Sequence, residues 1–151
     1  MSESTHNIYK IEISATHLPI GDISGSSDPY IVFYVNGKEI FRTEFKKQTL
    51  CPVWDSIRVY VSDGKLKIGK EDDEAFAIND HDVQLTLKII DRDFLMPDDF
   101  LGKVKLSLKE FLTGGKYDVV KNGGNVVPEG SVLKIEILNI DVCNRRLSGR
   151  K

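Results

Sequence analysis

Residues 83–108 read VQLTLKIIDRDFLMPDDFLGKVKLSL, in which two runs of alternating apolar and polar residues flank an acidic loop. Alternation with a period of two is typical of strands that bury one face. Similar or more uniformly apolar runs recur at residues 8–13, 31–35, 39–45, 56–61 and 132–138. Separated by Gly, Pro, Asp and Asn, the runs predict about eight strands and one short helix at 108–112. The fold predicted is an all-β, antiparallel β-sandwich.

The bulk properties of the chain exclude several classes of protein. With 151 residues and 17.0 kDa it is long enough for one domain with its own core. A net charge of −2 disfavours nucleic acid as a partner. We find neither a secretory signal nor an apolar run of about 18 residues that could span a membrane. Cys51 and Cys143 fit two thiols better than a disulfide, and thiols persist in a reducing compartment, so we expect a cytoplasmic protein. We also expect a monomer.

Two acidic clusters stand out in the loops. Residues 21–30, GDISGSSDPY, carry Asp22 and Asp28, and the loop at 91–102 carries four more aspartates. An ordinary polar turn is the simplest interpretation of the first cluster. The second is not an EF-hand, because Met96 stands where that loop needs glycine. Nothing in the sequence specifies a substrate cleft for acid–base catalysis either, so we expect no enzyme activity.

Counting strands brings the two clusters together. If the chain runs up the first strand, then residues 18–28, 46–54 and 91–100 all form loops at one end of the sandwich. Two carboxylates about 4 Å apart repel by roughly 4 kcal/mol at an effective dielectric of about 20. Several at one end therefore indicate a hard divalent cation, and Ca²⁺ suits flexible loops rich in oxygen ligands.

At these residues the sequence resembles the C2 domain family. The motifs are GxSDPY at 25–30, FRT at 41–43, LCPVWD at 50–55, DRD at 91–93 and DDFLG at 98–102. The resemblance covers roughly residues 8–140 and implies an eight-stranded Greek-key sandwich. A strand that closes the chain at 131–140 is similar to the permuted, type II order of phospholipases, copines and novel protein kinases C.

The resemblance also implies a ligand set for about two calcium ions. It assigns the side chains of five aspartates as ligands: Asp22, Asp28, Asp91, Asp93 and Asp99. Backbone carbonyls would fall at Gly21 and Arg92, and Asp98 is either an extra acid at the site or a solvated loop charge. Met96 stands where some relatives have a serine, which makes a third ion doubtful.

The loop tips suggest how the chain meets a membrane. Phe94, Leu95 and Met96 form an apolar triplet inside an acidic loop, and Ile23 lies at the tip of the first loop. We predict that at least two residues of the triplet insert into lipid, where each contributes about 1.5–3 kcal/mol. A patch for anionic lipid, or simply a solvated strand face, is formed by Arg42, Lys46 and Lys47.

These features predict a calcium-dependent, phospholipid-binding peripheral membrane module of signalling or membrane trafficking. It would be cytoplasmic and recruited to anionic phospholipid by Ca²⁺. The alternatives are a calcium-independent adaptor for protein partners and the targeting fragment of a larger signalling enzyme. The predicted division is an extension at 1–7, the domain at 8–140 with a long connecting insertion at 62–82, and a basic tail at 141–151.

Overall fold

The computed structural model describes residues 3–20, 27–70, 75–78, 83–121 and 124–146. Their secondary structure is almost entirely strand, in the order β1 (Glu3–Thr16), β2 (Pro29–Val35), β3 (Lys38–Arg42), β4 (Val53–Ser62), β5 (Lys65–Ile68), β6 (Phe76–Ala77), β7 (Gln84–Asp91), β8 (Asp99–Ser107), α1 (Leu108–Thr113), β9 (Gly115–Asp118) and β10 (Val132–Arg146).

The strands form two sheets, and neighbouring strands within each sheet are antiparallel. A six-stranded sheet has the order β6-β5-β4-β1-β10-β9, and a four-stranded sheet has the order β3-β2-β7-β8. The predicted antiparallel sandwich is therefore confirmed. Seven strands match the seven runs located in the sequence, and the other three, β5, β6 and β9, are short. Of these, β5 and β6 lie in the segment expected to be a connection.

The core lies between the sheets, and the alternation along β7 explains how it forms. Leu85, Leu87 and Ile89 are fully buried, while the residues between them are partly exposed. Trp54 and Phe33 are among the largest buried side chains. Each such side chain contributes about 1.5–3 kcal/mol when it leaves water. Burial of the apolar side chains that alternate along the strands is therefore the main source of stability.

The predicted helix at 108–112 is confirmed as α1. Ser107 caps it: its hydroxyl accepts a hydrogen bond from the N–H of Glu110 at 3.1 Å, and the Glu110 carboxylate accepts one from the N–H of Ser107 at 2.8 Å. This reciprocal capping box satisfies two N–H groups that the first helical turn leaves without partners. The helix has six residues, and no helix in the described ranges has the length and apolarity that a membrane span requires.

Three predicted segments outside the main strands contain strand in the structure. Inside the predicted connection 62–82, β5 pairs with β4 and β6 pairs with β5. The predicted extension at 1–7 and tail at 141–151 also contain strand, because β1 and β10 pair from Glu3↔Arg146 onward. β6, with two residues, and the polar end of β10 lack the apolar alternation by which strands are detected. β5, KLKI, does alternate, but its four residues are at the short limit for recognising a strand. The limits of the domain stay a prediction.

The strand ends bring three loops to one end of the sandwich. Pro29, the first residue of β2, lies opposite Asp91, the last of β7, and Asp91 lies opposite Asp99, the first of β8. The end of β1 lies at the same end of the sandwich: the N–H of Leu18 donates to the carbonyl of Leu50 at 3.1 Å, and the N–H of Thr49 donates to the carbonyl of Ser27 at 2.8 Å. The loops before β2, between β3 and β4, and between β7 and β8 are therefore neighbours, as strand counting predicted. We call this end of the sandwich the loop pole.

Candidate metal centre

The first and third loops are joined through two of the predicted aspartates. The backbone N–H of Asp28 donates a hydrogen bond to Oδ1 of Asp91 at 2.6 Å, and the N–H of Arg92 donates one to the carbonyl of Asp28 at 3.0 Å. Asp91 is fully buried, whereas Asp28 is partly exposed. A buried carboxylate is retained only where it is well hydrogen-bonded or near positive charge. Burial and the hydrogen bond from Asp28 therefore hold the Asp91 carboxylate in one position at the site.

The second loop is fastened to the same place by its backbone. The N–H of Gln48 donates to Oδ1 of Asp28 at 2.7 Å, and the N–H of Thr49 donates to the carbonyl of Ser27 at 2.8 Å. Gln48 has a φ of 50°, which an L-residue adopts at a cost of about 1–2 kcal/mol. That conformation is maintained by the hydrogen bonds on either side of it, and it aims the Gln48 N–H at the carboxylate.

The third loop turns back on Asp93. Its Oδ1 accepts hydrogen bonds from the N–H groups of Leu95 at 2.9 Å and Met96 at 3.1 Å. An aspartate that accepts from the backbone two or three residues later forms an Asx-type turn. The turn leaves the apolar triplet outside: Phe94, Leu95 and Met96 are 71%, 92% and 66% exposed.

Asp98 links the third loop to β2 across 68 residues of sequence. Its Oδ2 accepts a hydrogen bond from the Tyr30 hydroxyl at 2.6 Å, and its Oδ1 accepts one from the N–H of Asp93 at 3.0 Å. Burial alone would raise the pKa of Asp98, but these hydrogen bonds and nearby arginines outweigh burial and lower it. The pKa of Tyr30 is raised to about 12, first by burial and then by the bond to Asp98.

Of the remaining predicted ligands, some lie within the described part of the structure and some lie outside it. Asp99 lies opposite Asp91 in the β7–β8 pair and is exposed, and Arg92 uses its N–H to hold Asp28. Gly21, Asp22 and Ile23 lie outside the described residues. The structure therefore brings Asp28, Asp91 and Asp99 to three neighbouring strand ends, and the ligand roles of all these residues stay predictions.

The described carboxylates fit calcium in their chemistry more than in their present arrangement. Aspartate oxygens are the hard ligands that Ca²⁺ takes, and each carboxylate has about four acceptor positions, of which the hydrogen bonds above use only some. Within the described ranges, however, no three His, Cys, Asp or Glu side chains are grouped closely enough to hold a metal ion. Asp22, another carboxylate of the proposed set, lies outside the described residues.

Arg92 holds the base of the apolar triplet. Its guanidinium carbon lies 4.4 Å from the ring centre of Phe45 and 4.5 Å from that of Phe94. The two rings also contact each other edge to face, with their centres 6.3 Å apart. Such cation–π contacts contribute about 0.5–1 kcal/mol each at exposed sites. Phe94 is thereby tied to the second loop, whereas Leu95 projects furthest into solvent.

The predicted basic patch is largely paired with acids. Arg42 forms two hydrogen bonds of 2.8 Å with the Glu39 carboxylate, and Lys46 lies 3.1 Å from that of Glu44. Lys47 is exposed. These pairs reduce the net positive charge that the patch presents to a ligand.

Sequence reasoning missed two contributors to the pole. The sequence shows Tyr30 only as part of the SDPY motif. Its hydroxyl group donates to Asp98, which lies 68 residues away in another loop, so no local pattern predicts the contact. Ile20 is an exposed apolar residue directly before the first loop. No local signal singled out Ile20, because Leu18 and Pro19 directly before it are buried and the sequence does not distinguish Ile20 from them.

Comparison with known proteins agrees with the fold and the motifs. The C2 domain family model matches residues 10–122. The chain is 30% identical over 116 residues to Multiple C2 and transmembrane domain-containing protein 1 of Homo sapiens, and 26% identical over 117 residues to Protein C2-DOMAIN ABA-RELATED 3 of Arabidopsis thaliana. The matches cover 74% and 78% of this chain but only 10% and 56% of those relatives.

A solved structure agrees in fold. A C2 domain of plant Extended Synaptotagmin 1 superposes with a TM-score of 0.59 at 16% identity, over 95% of each chain. Identity at that level supports the architecture alone. The permuted order of the strands stays a prediction.

Proposed function

The chain belongs to the C2 domain family, and from that premise we propose that it binds Ca²⁺ at the loop pole and then docks on anionic phospholipid. The observation that carries the proposal is the junction of Asp28 with Asp91 beside the exposed Phe94–Met96 triplet. One end of the molecule thus combines oxygen ligands with an apolar tip. In its homologues the C2 domain is a binding module, and we propose the same for this chain, without catalysis.

The proposed ligands are supplied by residues that the fold already brings close. Asp91 is positioned by β7 and by the Asp28 N–H, and Asp99 follows on the neighbouring strand. Asp93 and Asp22 would complete the set, with backbone oxygens at Gly21 and Arg92. Bound calcium, about two ions in this proposal, supplies positive charge that attracts lipid phosphate and offers it open coordination positions.

The acidic pole provides the dependence on calcium. Without cations the aspartates repel an anionic leaflet, near which each unit charge is worth about 1 kcal/mol. Neutralising several of them changes docking by several kcal/mol with no change of fold. The exposed Leu95 and Met96 then gain about 1.5–3 kcal/mol each if they become fully buried in lipid.

Sedimentation with lipid vesicles tests the proposal. We expect the protein to pellet with vesicles that contain phosphatidylserine in Ca²⁺ and to stay in the supernatant in EGTA. Vesicles of phosphatidylcholine alone are the control for charge. Equal pelleting in calcium and EGTA would contradict the proposal.

One observation favours a second function, that of a calcium-independent adaptor. Asp28, Asp93 and Asp98 already accept hydrogen bonds from backbone N–H groups, so the loops hold together without an ion. A protein partner that is retained in EGTA and by Asp91→Asn would favour the adaptor. Loss of the partner in both conditions would favour the calcium module.

A further inference from the structure

The side of the sandwich has an opening between the edges of its two sheets. A cavity of about 550 Å³ lies there. One wall is formed by residues of β4 between 54 and 60, and the facing wall by residues between 41 and 44, at and after the end of β3. Gly69 and Lys70, which follow β5, also line it. Sites for small ligands are usually concave and have volumes of about 300–1,000 Å³, so this cavity has the size that binds one small molecule.

The opening exists because β5 covers only part of the edge of β4. β5 pairs with β4 as far as Val59, after which the N–H of Gly69 donates to the carbonyl of Arg58 at 2.9 Å. Nearer the loop pole, no backbone hydrogen bond among the described residues reaches β4 from that side. At the loop-pole end the two sheets are joined again, because the Trp54 indole N–H donates to the carbonyl of Glu44 at 3.0 Å. The cavity therefore has a fixed boundary at each end.

A β-bulge shapes the wall on β4. The register of β4 against β1 shifts there, so that Asp55 and Ser56 together stand opposite Glu12. Ser56 has a φ of 59°, a left-handed conformation that is uncommon for residues other than glycine. Bulges bend a strand, re-aim its side chains and are frequent beside active sites. Here the bulge places the exposed Ser56 at the cavity.

The end of the cavity that is distant from the loop pole is positively charged. Arg58 and Lys70 both line it. Arg58 is exposed and takes part in none of the ion pairs between described residues. Lys10 of β1 lies directly opposite Arg58 and is exposed as well. Because like charges in directly opposed positions are unfavourable, an anion bound beside Arg58 would offset a repulsion that the fold contains.

The middle of the cavity and its loop-pole end have a different character. Phe41, Trp54 and Ile57 supply apolar wall, and all three belong to the core or pack against it. The charged residues at the loop-pole end are acids: Asp55 is exposed, and Glu44 is already paired with a lysine. A ligand that matches the whole cavity therefore has an apolar body and carries its negative charge toward the basic end.

We propose that this cavity binds a small, soluble organic anion, with its acidic group on Arg58 and its apolar body between the sheet edges. A guanidinium group binds a carboxylate through two parallel hydrogen bonds. A membrane lipid does not match, because its headgroup would lie at the loop-pole end, beside Asp55 and Glu44. Neither the described calcium ligands nor the three residues of the predicted basic patch line the cavity, so the site does not depend on the function proposed above.

Titration with anilinonaphthalene sulfonate in EGTA, followed by heteronuclear NMR, tests where an apolar anion binds. The chain has one tryptophan, so the Trp54 indole N–H gives a single resonance. We expect this resonance and the amides of Ser56, Arg58 and Gly69 to shift together, with a dissociation constant below about 1 mM. Absence of saturable shifts at these residues, or shifts confined to residues 94–96, overturns the proposal.

A second titration, measured by probe fluorescence, tests the role of charge. Arg58→Gln should lower the affinity for anilinonaphthalene sulfonate about tenfold, the effect of losing one charged hydrogen-bond contact. It should leave unchanged the affinity for phenylnaphthylamine, which has the same rings without the sulfonate and so reports whether the variant keeps the cavity. The matched control Lys105→Gln, which removes an exposed positive charge from β8, should change neither affinity. Full affinity for the anion in Arg58→Gln, or an equal loss for both probes, overturns the proposal.

A soluble lipid separates the two sources of an apolar anion. Dihexanoyl phosphatidylserine, kept below the concentration at which it forms micelles, should shift none of the cavity resonances in EGTA. If it produces the shifts expected for anilinonaphthalene sulfonate, the cavity is a lipid site and the proposal of a soluble ligand is wrong.

Discussion

Oδ1 of the fully buried Asp91 accepts a 2.6 Å hydrogen bond from the N–H of Asp28, and this contact joins two loops that are 63 residues apart in sequence. A second oxygen acceptor, the Asp28 carboxylate, receives the N–H of Gln48 from the loop between β3 and β4. The loop pole is therefore built by backbone donors that converge on two aspartates. The same two residues are proposed ligands, so changes in cation binding and loop packing act on one junction.

Shortening the apolar tip should separate membrane docking from ion binding. Leu95 is almost fully exposed and touches no part of the core, so Leu95→Ala removes only what lipid would bury. We expect affinity for anionic vesicles in calcium to fall about tenfold, since the lost methyl groups contribute about 1–2 kcal/mol. Vesicle titration measures it.

The matched control is Leu138→Ala, the same truncation at an exposed position outside the loop pole. It should leave vesicle affinity unchanged, and calcium binding in solution should be the same in both variants. A Leu95→Ala protein that docks as well as the wild type would remove Leu95 from the membrane contact.

The Tyr30–Asp98 hydrogen bond should give a stability that depends on pH. It requires Asp98 ionised and Tyr30 protonated. The pKa of Asp98 is lowered on folding, so its contribution is present above the usual value of about 3.9 and is lost on acidification. The pKa of Tyr30 is raised to about 12, so its contribution is lost as pH rises from about 10 toward that value.

We therefore expect Tyr30→Phe to lower the free energy of unfolding by about 1 kcal/mol near pH 7, discounted because Asp98 is exposed. Urea unfolding between pH 3 and 9 measures the difference. It should shrink as the pH falls below about 4, where Asp98 of the unfolded chain takes up a proton that the lowered pKa of the folded state resists. A difference that stays constant down to pH 3 would show that the hydroxyl contributes by packing and not through the ionised Asp98.

Gly102 should tolerate no side chain. A Cβ there would overlap Cγ1 of Val119 and lie 3.2 Å from the carbonyl oxygen of Val120, in a core that cannot expand. We expect Gly102→Ala to destabilise the fold by about 1–3 kcal/mol, the usual cost of overpacking, measured by urea unfolding.

Gly124→Ala is the matched control for Gly102. Gly124 has a φ of 78° with nothing within 4 Å of a built Cβ, so the substitution there costs only the backbone strain of about 1 kcal/mol. Equal destabilisation by the two variants would mean that close packing around Gly102 has no special cost.

The sequence predicted the parts of the fold that periodicity controls. The alternation in β7 and β8 gave their position and buried face, and the strand count brought residues 28 and 91 to one end. β5 alternates as KLKI but has only four residues, and β6 has two, so neither was recognised as a strand. β9, GKYD, was missed because glycine and charged residues dominate it, and the end of β10 because DVCNRR is mostly polar. The Tyr30–Asp98 and Gln48–Asp28 contacts depend on loop paths, which no local pattern encodes.

The central claim is that the loop pole binds calcium through Asp91, and calorimetric titration with Ca²⁺ tests it most directly, for the wild type and Asp91→Asn, with and without anionic vesicles. The amide oxygen of the variant can still accept the Asp28 N–H, so its near-UV circular dichroism should match the wild type. We predict saturable binding by the wild type that tightens with vesicles, and none by Asp91→Asn. Absence of saturable heat in the wild type up to about 1 mM Ca²⁺, the weak end of protein calcium sites, or equal binding by the variant, would contradict the account.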